Sequence, residues 1–223
     1  MRVAAAIPAY DAAQSVGPVV LGIRAVMQDV LVVDDGSTDG TARSARDAGA
    51  EVHVLPRNRG KGAALRAAFT ILFGRGFDAV VTLDADGQHL PEEAPRLIGA
   101  AGNADLVLGT RDHLFAEMGK VRRLSNRLSS RAISWAAGQP ISDVQTGFRL
   151  YSQRLIEKTG FPEPGFEAES AVVVRAVRLG FRVTTTPVRL GVADGRSTSH
   201  YRPVIDSLRI AAAVLRARYT HRP

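Results

Sequence analysis

Val30-Leu31-Val32-Val33-Asp34-Asp35-Gly36-Ser37-Thr38-Asp39-Gly40-Thr41 is the stretch that decides the fold. Its apolar run ends in two carboxylates and a glycine. A strand buried on both faces reads as such an unbroken run, whereas a half-exposed strand alternates. Ser37, Thr38 and Asp39 can each cap a helix that follows. The stretch therefore predicts a strand, a tight turn and a helix over about 39–48. Working outward, the same unit recurs. Apolar runs at Val3 to Ile7, Val52 to Leu55, Ala79 to Leu83 and Leu106 to Leu108 predict strands, and helical patterns cover about 15–27, 61–73 and 92–101. Strands alternating with helices imply a largely parallel sheet and an α/β class.

The second half is less regular. It carries an arginine-rich helical segment over about 117–137, a strand at Gly147 to Tyr151, a helix over 167–179 and a strand over 181–188. A loop rich in Gly, Asp and Ser follows at 191–200, then a last helix over about 203–218. With 223 residues, no repeat and no linker, a single domain is the economical expectation. The absence of cysteine excludes a disulfide framework and a thiolate metal site. A formal charge of +7 favours an anionic partner without choosing among phosphates, nucleic acid and an acidic membrane. No window approaches the roughly 20 apolar residues of a membrane span. The N-terminal apolar run stops at Pro8, so it reads as a first strand rather than a signal peptide, and a cytoplasmic location is expected.

Ligands of parallel α/β sheets sit beyond the carboxyl ends of the strands, and there the polar residues gather. Asp34 and Asp35 cannot both face one way along a continuing strand, so one is expected to reach a ligand while the other braces the turn. A capped turn without a ligand explains them as well. Asp84-Ala85-Asp86 sets two carboxylates two residues apart at a strand end, where they can converge on one hard cation, with Gln88 as a further oxygen donor. The alternative is a solvated acidic turn. Asn58-Arg59-Gly60-Lys61-Gly62 opens a helix, and its small residues would let backbone N–H groups approach a phosphate. It is not a Walker A loop, and the chain has no G-x-G-x-x-G fingerprint.

In order, these pieces resemble the family 2 glycosyltransferases of GT-A fold, and among them the dolichyl- or polyprenyl-phosphate sugar synthases. The resemblance rests on Ile7-Pro8-Ala9-Tyr10, on Val32 through Thr41, on Asn58 through Gly62 and on Asp84 through His89. It continues through Gly109-Thr110-Arg111, Asp143 through Tyr151 and Ser199-His200-Tyr201-Arg202-Pro203. It implies a Rossmann-like, mostly parallel central sheet flanked by helices. Residues 1–110 would form the nucleotide-sugar half, 111–202 the acceptor half and 203–223 an amphipathic tail. It further implies that Pro8, Tyr10, Val33 and Asp35 contact the nucleoside of a GDP- or UDP-sugar. Lys61, Ala85 and Arg111 would also line the donor, and Asp84 and Asp86, with Gln88, would hold Mg²⁺ or Mn²⁺ on its diphosphate. Family members invert the anomeric centre in one displacement. Two positions depart from the family pattern: Ala12 stands where an acid is common, and His200 stands where the late loop often has lysine. Arg189, Arg196 and His200 are the expected late contacts to donor phosphate.

A lipid phosphate acceptor is already ionised near neutral pH, since its second pKa is about 6, so it needs cations more than a base. Arg122 and Arg127 resemble the family's acceptor-phosphate contacts, within a run that includes Lys120, Arg123 and Arg131. A solvated basic helix face explains the same run. For a hydroxyl acceptor, Asp143 is the best candidate base and Glu169 a further one. Bracing of the Thr146-Gly147-Phe148 turn explains Asp143 equally, and the helix dipole explains Glu169. In the last helix, Ile205, Leu208, Ala212, Leu215 and Tyr219 make one apolar stripe, with Arg202, Arg209 and Arg216 on a neighbouring face. Such a helix suits a membrane surface, or packs on its own domain or on a second copy in a homodimer. Transfer to polyprenyl phosphate is the leading expectation. Transfer to a hydroxyl, and a non-catalytic nucleotide-sugar-binding protein, are the alternatives. Nucleic acid would explain the charge but not the ordered acidic strand ends, so it is not an expected partner.

Overall fold

The computed structural model of the chain describes residues 1–110, 130–141, 144, 146–189 and 203–220. Seven strands are present among them: β1 (Val3–Ala9), β2 (Val30–Asp34), β3 (Glu51–Val54), β4 (Ala79–Thr82), β5 (Leu106–Thr110), β6 (Arg149–Ser152) and β7 (Val183–Pro187). They form one sheet in the order β3-β2-β1-β4-β6-β5-β7. β6 runs antiparallel to β4 and to β5, and the other pairings are parallel. The helices are α1 (Val16–Arg24), α2 (Thr41–Asp47), α3 (Lys61–Gly74), α4 (Ala94–Ala101), α5 (130–137), α6 (Gln153–Thr159), α7 (Glu167–Arg178) and α8 (Pro203–Thr220). A 3₁₀ turn, Pro91–Glu93, leads into α4.

The apolar runs split between two cores because side chains alternate across a sheet. From β1 and β2, Ala4, Ala6, Leu31 and Val33 face the side covered by α3, α7 and α8. Ala5, Ile7, Val30 and Val32 face the side covered by α1 and α4. Most of these residues are fully buried, which is why no polar residue interrupts the runs. The parallel strands β1, β2 and β4 all end at one edge of the sheet. That edge receives the segments that begin at Tyr10, Asp35 and Leu83.

Two features differ from the sequence reading. The strand expected at Gly147 to Tyr151 forms as Arg149–Ser152 and enters the sheet from the opposite direction. Its approach carries Thr146 and Gly147 beneath the end of β4, where Thr82 Oγ1 donates to the Gly147 carbonyl at 2.9 Å. Helix α6 was not anticipated; it is seven residues long, and Ser152 caps it by accepting from Leu155 N–H. The basic helical segment is described only over 130–137.

Candidate active site

A cleft of about 430 Å³ opens at the carboxyl ends of β1, β2 and β4. β1 delivers Pro8 and Tyr10 to its lining, β2 delivers Asp35, α3 delivers Lys61, and the turn after β4 delivers Asp84, Ala85 and Asp86. The two neighbouring carboxylates after β2 divide the work. Asp34, buried, accepts the Ser37 N–H at 2.9 Å and braces the turn. Asp35 accepts the N–H groups of Arg59 at 2.8 Å and Gly60 at 2.7 Å, one on each oxygen. Burial pushes the Asp35 carboxyl above its ordinary value, partly offset by those two N–H groups, with Asp34 adding to the rise.

In the loop before α3, expected to approach a phosphate, three of the backbone N–H groups serve the protein itself. The N–H groups of Arg59 and Gly60 already serve Asp35, and that of Ala63 donates to the Gly60 and Pro164 carbonyls. Glycine is required at 60 for a different reason. Its φ is +95°, and a Cβ there would lie 2.5 Å from the Pro164 carbonyl oxygen. The loop is small so that the chain before α7 can pass against it.

Beneath the cleft runs a chain of opposite charges. Lys61 Nζ lies 2.6 Å from Asp84 Oδ1 and 2.7 Å from Glu169 Oε2. Glu169 Oε1 lies 3.8 Å from Arg149 Nε. Arg149 is 1% exposed, and its guanidinium donates to the carbonyls of Thr146, Glu169 and Val144 at 2.6–2.8 Å. On the far side, His89 Nε2 stands 3.6 Å from Asp84 Oδ2, with its ring against Phe148. Burial alone would discharge Lys61; the attraction of Asp84 and Glu169 overrides it and raises the pKa. Burial likewise opposes the Asp84 charge, and Lys61 followed by His89 reverses that and holds the carboxyl well below the usual range. Gly147 completes the seat, because a Cβ there would fall 2.3 Å from Asp84 Oδ2.

Asp86 is bound differently. Its Oδ1 accepts the Gln88 N–H at 3.0 Å, and no cation pairs with it among the described residues. The described lining of the cleft thus carries four carboxylates, Asp35, Asp84, Asp86 and Asp206, against two cations, Lys61 and Arg209. No group of three His, Cys, Asp or Glu that could hold a metal occurs among the described residues.

Of the residues expected at the site, Pro8, Tyr10, Asp35, Lys61, Asp84, Ala85 and Asp86 are brought together. Val33 is not: it is fully buried in the core, because it points to the α3 side of the sheet. Gln88 meets Asp86 through its backbone and is absent from the lining. Arg189 is held by Glu93 at 2.5 Å, away from the cleft lining, so it is corrected from a phosphate contact to a surface ion pair. Glu169 is corrected from candidate base to partner of Lys61. Arg111, Lys120, Arg122, Arg123, Arg127, Asp143, Arg196 and His200 lie outside the described residues. The sequence reading did not find Phe166 or the first two turns of α8, where Asp206 and Arg209 enter the lining. Nothing local in the last helix signals which cleft its first two turns will meet.

The sheet and its flanking helices have the GT-A fold. A structure of glucosyl-3-phosphoglycerate synthase from Mycobacterium tuberculosis, in complex with Mg²⁺ and uridine diphosphate, superposes with a TM-score of 0.75. The match covers 97% of this chain and 79% of that one at 22% identity, a likeness of fold. The chain belongs to glycosyl transferase family 2, which it matches over residues 5–160. It is 37% identical over 207 residues to an undecaprenyl-phosphate mannosyltransferase of Micrococcus luteus, covering 84% of this chain and 83% of that protein. It is 35% identical over 175 residues to the polyprenol monophosphomannose synthase of Mycolicibacterium smegmatis, covering 71% and 65%. A glycosyltransferase AglJ of Haloferax volcanii is 29% identical, over 97% of this chain and 72% of that one.

Proposed function

We propose that the chain transfers a hexose from a GDP- or UDP-sugar to a polyprenyl phosphate, with inversion and with the help of Mg²⁺ or Mn²⁺. The observation that carries the reading is the excess of carboxylates in the described cleft lining. A diphosphate would be repelled there unless a divalent cation lay between. The residues fit such an ion. Mg²⁺ typically takes one or two carboxylates, keeps several waters and bridges to substrate phosphates, which suits so sparse a set. Asp86 would hold it, with Asp84 beside it. Bound there, the cation supplies Lewis-acid charge to the departing diphosphate.

The remaining work falls to the protein. Lys61, itself held by Glu169, fixes Asp84 in one position and offsets its charge, so that Asp86 is the carboxylate of the turn left to a metal ion. Tyr10 and Asp35 would flank the nucleoside, and Pro8 and Ala85 would shape its slot. Arg111 would add fixed positive charge near the phosphates, and Arg122 and Arg127 would hold the acceptor phosphate. An acceptor phosphate oxygen then forms the new bond to the anomeric carbon as the bond to the nucleoside diphosphate breaks. The diphosphate leaves with the electron pair. An ionised phosphate needs no base to attack, so Asp143 would be dispensable for proton transfer. The named acceptors of the Micrococcus and Mycolicibacterium relatives support the lipid assignment.

The test is a transfer assay with labelled GDP- and UDP-hexoses and a short-chain polyprenyl phosphate. The reading expects a lipid-linked sugar and released nucleoside diphosphate, with chelation of divalent ions stopping both. Turnover with hydroxyl acceptors, and none with the lipid phosphate, would refute it.

A further inference from the structure

Helix α8 is apolar on two opposite sides. Its inner side, Ile210, Ala213, Val214 and Ala217, packs into the core that α7 shares. Its outer side is the stripe noted in the sequence, and it faces solvent: Ile205 is 46% exposed, Leu208 67%, Leu215 46% and Tyr219 60%. These positions recur at spacings of three, seven and four, so they lie along one line of the helix. Arg209 and Arg216, both exposed, run along its border. The one acid of the helix, Asp206, is buried, so the outer side carries no carboxylate. No helix among the described residues is long and apolar enough to cross a membrane.

We infer that this outer side of α8 docks on an anionic lipid surface. Leucine and isoleucine flanked by arginine are the two components of interfacial binding: apolar side chains enter the acyl boundary and cations meet the headgroups. A second copy of the chain fits less well. A two-fold interface would bring two arginine-bordered faces together, in a chain whose formal charge is +7. The helix also belongs to the cleft, because its first two turns supply Asp206 and Arg209 to the lining. A surface against the outer side of α8 would therefore adjoin the mouth of the site. The inference deepens the lipid-phosphate reading and rests on it only for its purpose, since the docking face is argued from α8 alone.

The test uses the full chain and its Leu208→Asp/Leu215→Asp variant, neither residue lying in the cleft lining. Both are sedimented with vesicles of phosphatidylcholine, alone or containing phosphatidylglycerol. The native chain is expected to bind the anionic vesicles, less so as salt rises. The variant is expected to bind about a hundredfold more weakly, for the loss of two buried leucines. Its melting transition and donor affinity should be unchanged. Equal binding by both forms, or no vesicle binding by the native chain, overturns the inference. So does a native dimer that the variant splits, which would make the occupant a second copy. Acceptor assays separate this inference from the proposed function. A water-soluble short-chain polyprenyl phosphate should be used equally by both forms, whereas a bilayer-embedded one should be used poorly by the variant. If the variant loses vesicle binding but neither form glycosylates either acceptor, docking stands and the acceptor reading falls.

Discussion

Replacing Lys61 with methionine removes the cation between two carboxylates while keeping the length of the side chain. Lys61 is 13% exposed, Glu169 9% and Asp84 27%, and both acids lie within 2.7 Å of the ammonium. Removing one partner of a buried ion pair typically costs 3–5 kcal/mol, because the other charge is stranded. The partial exposure of Asp84 puts the expectation for Lys61→Met near the lower end, about 3 kcal/mol at pH 7. The pH dependence has a definite sign. In the native protein the Asp84 carboxyl is depressed by Lys61. Its contribution is therefore present above the unfolded value of about 4 and lost as pH falls below it. In the variant, Asp84 and Glu169 face each other without the ammonium between them, and Arg149 reaches only the far oxygen of Glu169. Their folded pKa values should rise above the unfolded ones, and the variant should weaken as pH rises through them. The gap between native and variant is thus largest at neutral pH and narrows on acidification. Urea unfolding followed by circular dichroism, at pH 7 and near pH 5, measures it. Adding Glu169→Gln to the variant should return part of the loss. A loss below about 1 kcal/mol, the range of exposed pairs, or a gap that ignores pH, would refute the reasoning.

Gly147→Ala places a methyl group 2.3 Å from Asp84 Oδ2. Thermal melts should show a loss of about 1–3 kcal/mol, and calorimetry should show weakened donor binding as Asp84 is displaced. Arg149→Leu leaves the carbonyls of Val144, Thr146 and Glu169 without their donor. Denaturant unfolding should report a loss of about 3 kcal/mol or more. Arg149→Lys should recover little of it, since an ammonium lacks the fork that reaches all three.

The fold was legible wherever a strand is buried on both faces. The runs at Val3, Val30 and Ala79 needed no partner to be recognised, because only a two-sided core tolerates them. The direction of β6 was not legible. Arg-Leu-Tyr-Ser reads the same in either direction, and only its pairing with β4 and β5 reveals which it takes. Helix α6 was missed because seven residues hold too few turns to show a period. At the site, the acidic strand ends identified the cleft, and seven of the expected residues line it. Lys61 lines the cleft as expected, but its two ion pairs were not legible, for a physical reason. A lysine after glycine at a helix start suits a phosphate and a carboxylate equally, and only tertiary contact with Asp84 and Glu169 distinguishes them. Val33 shows the same limit: one position along a strand reverses the face. The outer stripe of α8 was visible in the sequence, but not that a different set of residues would do the packing.

The central claim is that Asp86 makes donor binding depend on a divalent cation, and one calorimetric experiment addresses it directly. Uridine and guanosine diphosphates are titrated into the native protein and into Asp86→Ala, with Mn²⁺ and with a chelator. The account predicts that the native protein binds one of the two only with Mn²⁺, and that the variant loses this binding while melting at the native temperature. Equal affinity in native protein and variant with Mn²⁺ present would contradict it.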